Sequence, residues 1–398
     1  MLINLRLSAI YILLLLLTTI CTYGQKKVAN PYATIDKKAL EMPDSLTTSS
    51  TDIAKYINSN FYGDSDKARA AFIWIASNIH YDIENMYAIN FYEGKEEKAI
   101  KPLKTRKGIC ENYAALFNDV CNKVGLKSYI IEGFTKQNGF SDYLPHAWNA
   151  ALIDSTWYLF DATWGSGFVS NGKFIRKISN DFFKVLPSVL IKSHMPFDYM
   201  WQFLDYPATV QDFIDGKLIQ DKNRKYFNYS DSIAALDSLD YLYRLERSLD
   251  RIQKNGIRNS LIFDRLQHLK LEIDNYKQNQ TVNLYNGAVA DYNEGINLLN
   301  EFISYRNKQF KPMRTDAAIQ SMVDIADTKL RDAADKLKQI KYTDPNSASM
   351  VIQLHKSLND VSNQLAEQND WLKLYFSKGK AGRKSMFYTV TWFGVPLN

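Results

Sequence analysis

The sequence predicts an α+β domain, with helices packed on an antiparallel sheet, followed by an all-α domain built as an antiparallel helical bundle or coiled coil. Three observations predict it. Residues 49 to 125 carry apolar positions at helical spacing, and residues 128 to 163 hold short strand-like runs. Beyond Pro207 glycine thins out while Leu, Asp, Asn, Lys and Gln fill segments of helical length. A chain of 398 residues is long enough for two domains, and 46% hydrophobic with 13% aromatic content suits an ordered globular protein. The net charge of +6 is spread without a block of like charges or interleaved aromatic and basic residues, which argues against a nucleic-acid partner.

Met1 to Arg6 is a short start with one cation, Leu7 to Cys21 is largely apolar with five consecutive leucines, and Thr22-Tyr23-Gly24 offers small residues for cleavage. This predicts a signal peptide over 1–24, a secreted or periplasmic protein, and no stable membrane span after cleavage. Residues 25–48, with Pro31, Pro43 and many Ser and Thr, read as a linker. Ser50-Thr51-Asp52 then caps a short helix to Phe61. Asp64-Ser65-Asp66 caps a stronger one bearing Phe72, Ile73, Ile75, Ala76 and Ile79. After a polar, Tyr-rich loop, Ile109, Tyr113, Leu116, Val120 and Val124 mark a further helix closed by Gly125. Ser128 to Phe134 reads as a strand, Thr135 to Leu144 as a loop, and the runs 146–153 and 156–163 as a hairpin turning at Asp154-Ser155. A two-residue turn pairs Ile153 with Thr156 and makes Asp161 the diagonal neighbour of His146 on one sheet face.

A domain boundary at Pro207 predicts that residues 25–207 fold alone. In the helical domain, 208–385, narrow apolar seams run through Leu242, Leu245, Leu249 and Ile252, and through Val289, Tyr292, Ile296, Leu299 and Ile303. Two more follow, from Val323 to Ile340 and from Val351 to Tyr375. Gly256, Pro312 and Asp344-Pro345 interrupt them, so about five long antiparallel helices are expected, one of them near Leu261 to Tyr276. Nothing in these helices suggests catalysis, which leaves them structural or a surface for a protein partner. The tail 386–398 is aromatic and β-prone, suited to docking on either domain.

The chemistry concentrates in three residues. Cys110 opens its helix, where unpaired N–H groups and the positive end of the dipole favour a thiolate, and Arg106 and Lys107 add positive charge. Of three cysteines, loss of the leader leaves Cys110 and Cys121. Eleven residues along one helix separate them by roughly 16 Å, too far for a disulfide, and Cys121 reads as a small core residue. Cys110, His146 and Asp161 follow one another as thiol nucleophile, base and orienter of the base. His80, His194, His268 and His355 are scattered with no Cys or carboxylate at ligand spacing, so neither a metal nor another cofactor is expected. Trp74 reads as core, and Trp148, Trp157 and Trp164 as packing of the hairpin.

The segments KTRKGICENYAALFN (104–118), HAWN (146–149) and WYLFDATWG (157–165) resemble the transglutaminase-like superfamily, specifically its bacterial branch resembling the kyphoscoliosis peptidase. WIASNIHYD (74–82) and the run from Asp181 through SHMPFDYMWQFL strengthen the resemblance, which covers about residues 50 to 207. It implies a papain-like fold over the 49–207 domain and acyl transfer by Cys110, His146 and Asp161, with a protein or peptide amide as substrate. Water as acceptor makes a peptidase, and an amine makes a transglutaminase. Hydrolysis is preferred because no second amine pocket can be read. Asn112 stands where these proteins commonly carry Gly, and a non-catalytic envelope binding or scaffold protein is the rival reading.

Overall fold

The computed structural model describes residues 30–88, 93–136, 144–218 and 222–387, together with the backbone of 391–392 and 395–396. The expected signal peptide and most of the expected 135–144 loop lie outside the described residues. The described part divides into two compact units, Met1–Leu239 with Arg247–Arg265, and Asp240–Glu246 with Leu266–Asn398. Among the described residues no helix is long and apolar enough to cross a membrane.

In the first unit the elements run α1 (Ala33–Leu40), α2 (Ser50–Asn60), α3 (Asp64–Asn78), β1 (His80–Tyr81), α4 (Lys95–Thr105), β2 (Lys107–Gly108) and α5 (Cys110–Lys123). There follow β3 (Ser128–Thr135), β4 (Leu144–Ile153), β5 (Thr156–Phe160), α6 (Ala162–Ser166), β6 (Gly167–Ser170), β7 (Lys173–Arg176), α7 (Pro187–Leu190) and β8 (His194–Pro196). Helices precede sheet, as the patterning predicts. The main sheet has four strands in the order β5-β4-β3-β8, antiparallel throughout. The hairpin register is the expected one: Ile153 pairs with Thr156 and Asn149 with Phe160 across a turn whose two residues, Asp154 and Ser155, both have positive φ. The second run ends at Phe160 rather than Thr163, because Asp161 leaves the strand to cap α6.

A core of Ile53, Ile57, Phe72, Trp74, Tyr113, Leu116, Phe117, Val120, Cys121 and Phe160 joins α2, α3 and α5 to the hairpin. Trp74 and Cys121 are thus core residues, as expected. The 25–48 linker needs correction. From Asn30 on it is folded, because Asp36 of α1 takes the Arg69 guanidinium in two bonds of 2.6 and 2.7 Å, with Arg69 fully buried and lying over the Tyr32 and Phe183 rings. A buried cation needs such a partner, and composition alone does not reveal one 33 residues away.

The first unit also extends beyond Pro207, through α8 (Val210–Asp215) and α9 (Tyr229–Ala235) and into α10 (Tyr241–Asn255). Phe213 packs on Phe134, Ile233 joins the cluster of Ile131, Trp148 and Leu159, and Arg251 forms a two-bond ion pair with buried Asp198 at 2.7 and 2.8 Å. Residues 208–239 and 247–265 therefore complete a core that ends too early at 207.

In the second unit the helices are α11 (Ser260–Asn307), which it shares with the first from Leu266 on, α12 (Asp316–Gln339), α13 (Pro345–Ser377) and α14 (Lys380–Ser385). The expected separate helices near 261–276 and 289–303 are one helix of 48 residues, since no Gly or Pro interrupts residues 277 to 286. Leu299, Phe302, Val323, Ala326, Leu330, Leu358, Leu365 and Leu372 form its apolar seam. Phe387 packs on Phe310, Trp371 and Tyr375, so the start of the tail docks on this unit, and Thr391–Trp392 pairs with Val395–Pro396.

Candidate active site

Cys110 is the first residue of α5, preceded by the extended Ile109 and closed at the far end by Gly125 at φ 90°. Asn112, at the third helical position, accepts the Ile109 N–H at 3.0 Å and donates to the Lys98 carbonyl at 3.1 Å. The side chain that departs from the usual Gly is therefore buried and caps the cysteine helix from within. Arg106 is otherwise engaged: its guanidinium donates to Thr47 and lies over the Trp74 ring.

The histidine strand is tied to the cysteine helix by Asn149, whose Nδ2 donates to the Ala114 carbonyl at 2.9 Å. His146 and Asp161 meet as expected, Nε2 to Oδ2 at 2.8 Å, both buried. The second ring nitrogen is then the one left to face Cys110, whose proximity adds to the groups that raise His146. Asp161 Oδ1 accepts the Thr163 and Trp164 N–H groups at 2.9 and 3.0 Å, so capping α6 also sets the plane of the carboxylate.

One residue of the site was read as scattered: His194. Its Nε2 lies 3.0 Å from the same Oδ2 of Asp161, and its Nδ1 lies 2.7 Å from the Ser193 hydroxyl. Register explains the meeting. On β3, Gly133 pairs with His146 of β4 and with Pro196 of β8, while Thr135 pairs with His194, so both histidines share one sheet face with β3 between them. A Cβ at Gly133 would come within 2.2 Å of the Met195 carbonyl and 2.7 Å of the Trp148 ring, so only glycine allows this approach. The histidine rings are 5.5 Å apart, enclosed by Trp148 and Trp164. His194 belongs to the SHMPFDYMWQFL run, so the signal lay in that segment, but nothing in its spacing pointed to Asp161.

The shared carboxylate makes the two histidines unlike. Burial alone pushes His146 down, but the Asp161 charge, its hydrogen bond and nearby Cys110 outweigh burial and raise it to about 10. His194 is lowered, by burial first and by repulsion from His146, against the pull of Asp161. Burial opposes the Asp161 charge too, yet both histidines hold its carboxyl well below the usual carboxylate range. A charged His146, an ionised Asp161 and a neutral His194 result near neutrality. Tyr81 stands close to this charge: burial, then Cys110 and Asp161, push its hydroxyl up.

Donor atoms of His146, Asp161 and His194 all lie within 4.8 Å, close enough to hold a metal ion, which corrects the expectation that His194 has no carboxylate at ligand distance. An imidazolium at His146 has no lone pair to offer, and both Nε2 atoms are at hydrogen-bond distance from one oxygen, so the group reads as a proton-sharing array. A cavity of about 640 Å³ lined by Lys127, Trp157, Leu186, Phe203 and Tyr229 contains none of these residues.

Residues 51–162, which hold Cys110, His146 and Asp161, match the transglutaminase-like superfamily, and the chain thus carries a transglutaminase-like domain. Kyphoscoliosis peptidase of Mus musculus is 34% identical over 163 residues, covering 38% of this chain and 24% of that protein. The Homo sapiens protein of the same name is 34% identical over 161 residues, covering 38% and 23%. The chain therefore spans about a quarter of the length of these curated relatives. A solved structure described as a TGase is 21% identical and covers 44% of this chain and 42% of that one, with a TM-score of 0.24.

Proposed function

We propose that the protein is an exported cysteine enzyme that cleaves amide bonds of proteins or peptides through Cys110, His146 and Asp161. The observation that carries this is the His146–Asp161 pair at 2.8 Å, with Cys110 at the head of α5 near enough to contribute to raising His146 to about 10. A thiolate beside an imidazolium is a strong nucleophile at neutral pH. In the reaction, the sulfur attacks the amide carbonyl and the C–S bond forms as the oxygen takes up negative charge. The first turn of α5, where N–H groups lack intrahelical acceptors, presents the Cys110 N–H to that oxygen. Collapse of the adduct breaks the C–N bond, and His146 gives its proton to the leaving amine. The neutral imidazole then takes a proton from water, which attacks the thioester and frees the acid. Asp161 holds the ring through both steps.

Alkylation tests the nucleophile. Iodoacetamide should label Cys110 at pH 7 at least about tenfold faster than a model thiol, and His146→Ala should bring the rate down to the model value. Cys121, fully buried in the core, should stay unlabelled. Equal rates in the wild type and a model peptide would refute the reading. A panel of peptide amides, with and without added primary amine, then separates hydrolysis from amine transfer. Export rests on the leader alone, and mass spectrometry of the mature N-terminus checks it.

A further inference from the structure

We propose that His194 is a positioning residue of the Cys110 site, a neutral imidazole that donates Nε2–H to Oδ2 of Asp161 while its Nδ1 accepts the Ser193 hydroxyl. This rests on the reading of Cys110 as the nucleophile. A carboxylate accepts and never donates, so the 3.0 Å contact requires a proton on Nε2. A neutral ring with Nε2 protonated keeps its lone pair on Nδ1, and the Ser193 hydroxyl lies 2.7 Å from it against 3.4 Å from its other acceptor, the Leu190 carbonyl, so the hydroxyl donates to the ring. The alternative, an imidazolium donating from both nitrogens, would set a second positive ring 5.5 Å from His146 among buried side chains.

The groups facing His194 come from several elements: Asp161 at the head of α6, His146 and Trp148 of β4, Trp164 of α6, Phe182, and Ser193 beside it. Asp161 is the only carboxylate among them. With its Oδ1 on the Thr163 and Trp164 N–H groups and its Oδ2 on two imidazoles, it has four donors in place of water. Removing the neutral donor leaves a buried anion short of one hydrogen bond, and the carboxylate is free to turn in the only direction that α6 does not restrain. The His146 ring would lose its aim at the sulfur in consequence. The geometry thus extends the site from three residues to five, with Ser193 and His194 acting through Asp161 rather than on substrate.

Two measurements on the full chain decide it. In nitrogen NMR of the histidine-labelled wild type between pH 5.5 and 8, His194 should show a protonated Nε2 and a bare Nδ1 throughout. A protonated Nδ1, or titration at an ordinary histidine value near about 6.5, overturns the proposal. In alkylation at pH 7, His194→Phe, which fills the space without a donor, should react about 10-fold to 100-fold slower than wild type. His194→Gln, whose amide can present N–H in place of Nε2–H, should recover to within about threefold. A filler of the core would rank the two the other way, so a Phe variant as fast as wild type, or slow Phe and Gln variants alike, also overturns it. Should the Phe variant fail to fold, the wild-type tautomer decides alone. A wild-type thiol no faster than a model peptide sinks the nucleophile reading and this one together, whereas a fast thiol with the wrong tautomer sinks only this one.

Discussion

Among the described residues, the two units of the chain differ in how many polar groups they enclose. The first encloses Asp36, Arg69, Asn112, His146, Asn149, Asp161, His194 and Asp198, each with hydrogen-bond partners, whereas the second encloses Thr281 and Asp291 beneath a seam of Leu, Val, Ala and Phe. Enclosing a polar group is unfavourable unless its partners are in place, so an interior rich in such groups is a structure organised around something other than stability. The second unit needs only its apolar seam. Breaking a polar contact in the first unit should therefore alter chemistry or the fold sharply, and breaking one in the second should alter little.

The largest effect is expected at Asp161. Asp161→Asn removes the charge that raises His146 and presents an amide to two donors, and turnover of a cleaved peptide amide should fall about 10³-fold to 10⁴-fold. Stability should follow pH in both directions. His146 is raised from 6.5 to about 10, so its share is complete below 6.5 and disappears as pH rises through about 10. Asp161 is depressed from 3.8, so its share is complete above 3.8 and is lost as pH falls. Chemical denaturation should accordingly show the advantage of wild type over Asp161→Asn greatest between about pH 4 and 6.5, narrowing on either side. An advantage that is flat from pH 5 to 10 would contradict the pairing.

Next comes the edge of the first unit. Arg251 and Asp198 are both largely enclosed, and Arg251→Ala leaves the carboxylate with the Met200 N–H but no cation. A loss of about 3–5 kcal/mol is expected in denaturant titration. A fragment ending at 207 also lacks Ile233 and Phe213, so by circular dichroism it should melt far below one ending at Arg265, if it folds at all. Equal melting of the two fragments would restore the shorter boundary.

What was legible in the sequence was local. The turn at Asp154-Ser155 fixes the register that brings His146 to Asp161, and the periodicity of Tyr113, Leu116 and Val120 places Cys110 at a helix start. These follow from neighbours a few residues apart. His194 reaches Asp161 only because β8 returns to the free edge of β3 and Gly133 lets the strands close up, a pairing across some sixty residues that no spacing rule encodes. Asp36 with Arg69, and Asp198 with Arg251, escaped for the same reason. The fused α11 is different: no Gly or Pro stands between its two apolar seams over residues 277 to 286, so its continuity is itself legible in the sequence.

The smallest effects belong to the second unit, where two substitutions on α12 separate apolar from ionic stabilisation. Leu330 is almost wholly enclosed and lies against Gly295 of α11, where even a Cβ would come within 2.7 Å of its methyl group. Helices held that closely have little room to collapse around a cavity, so Leu330→Ala should cost about 2–4 kcal/mol by denaturation, with Cys110 alkylation unchanged. Lys338 on the same helix reaches Asp335 at 3.0 Å, but the two side chains are 71% and 65% exposed. Water screens such a pair and two long side chains must be ordered to form it, so Lys338→Ala should leave the melting temperature unchanged within error. A large loss at Lys338, or none at Leu330, would mean that the helices are held by their charges rather than by the seam, and the contrast between the two interiors would fail.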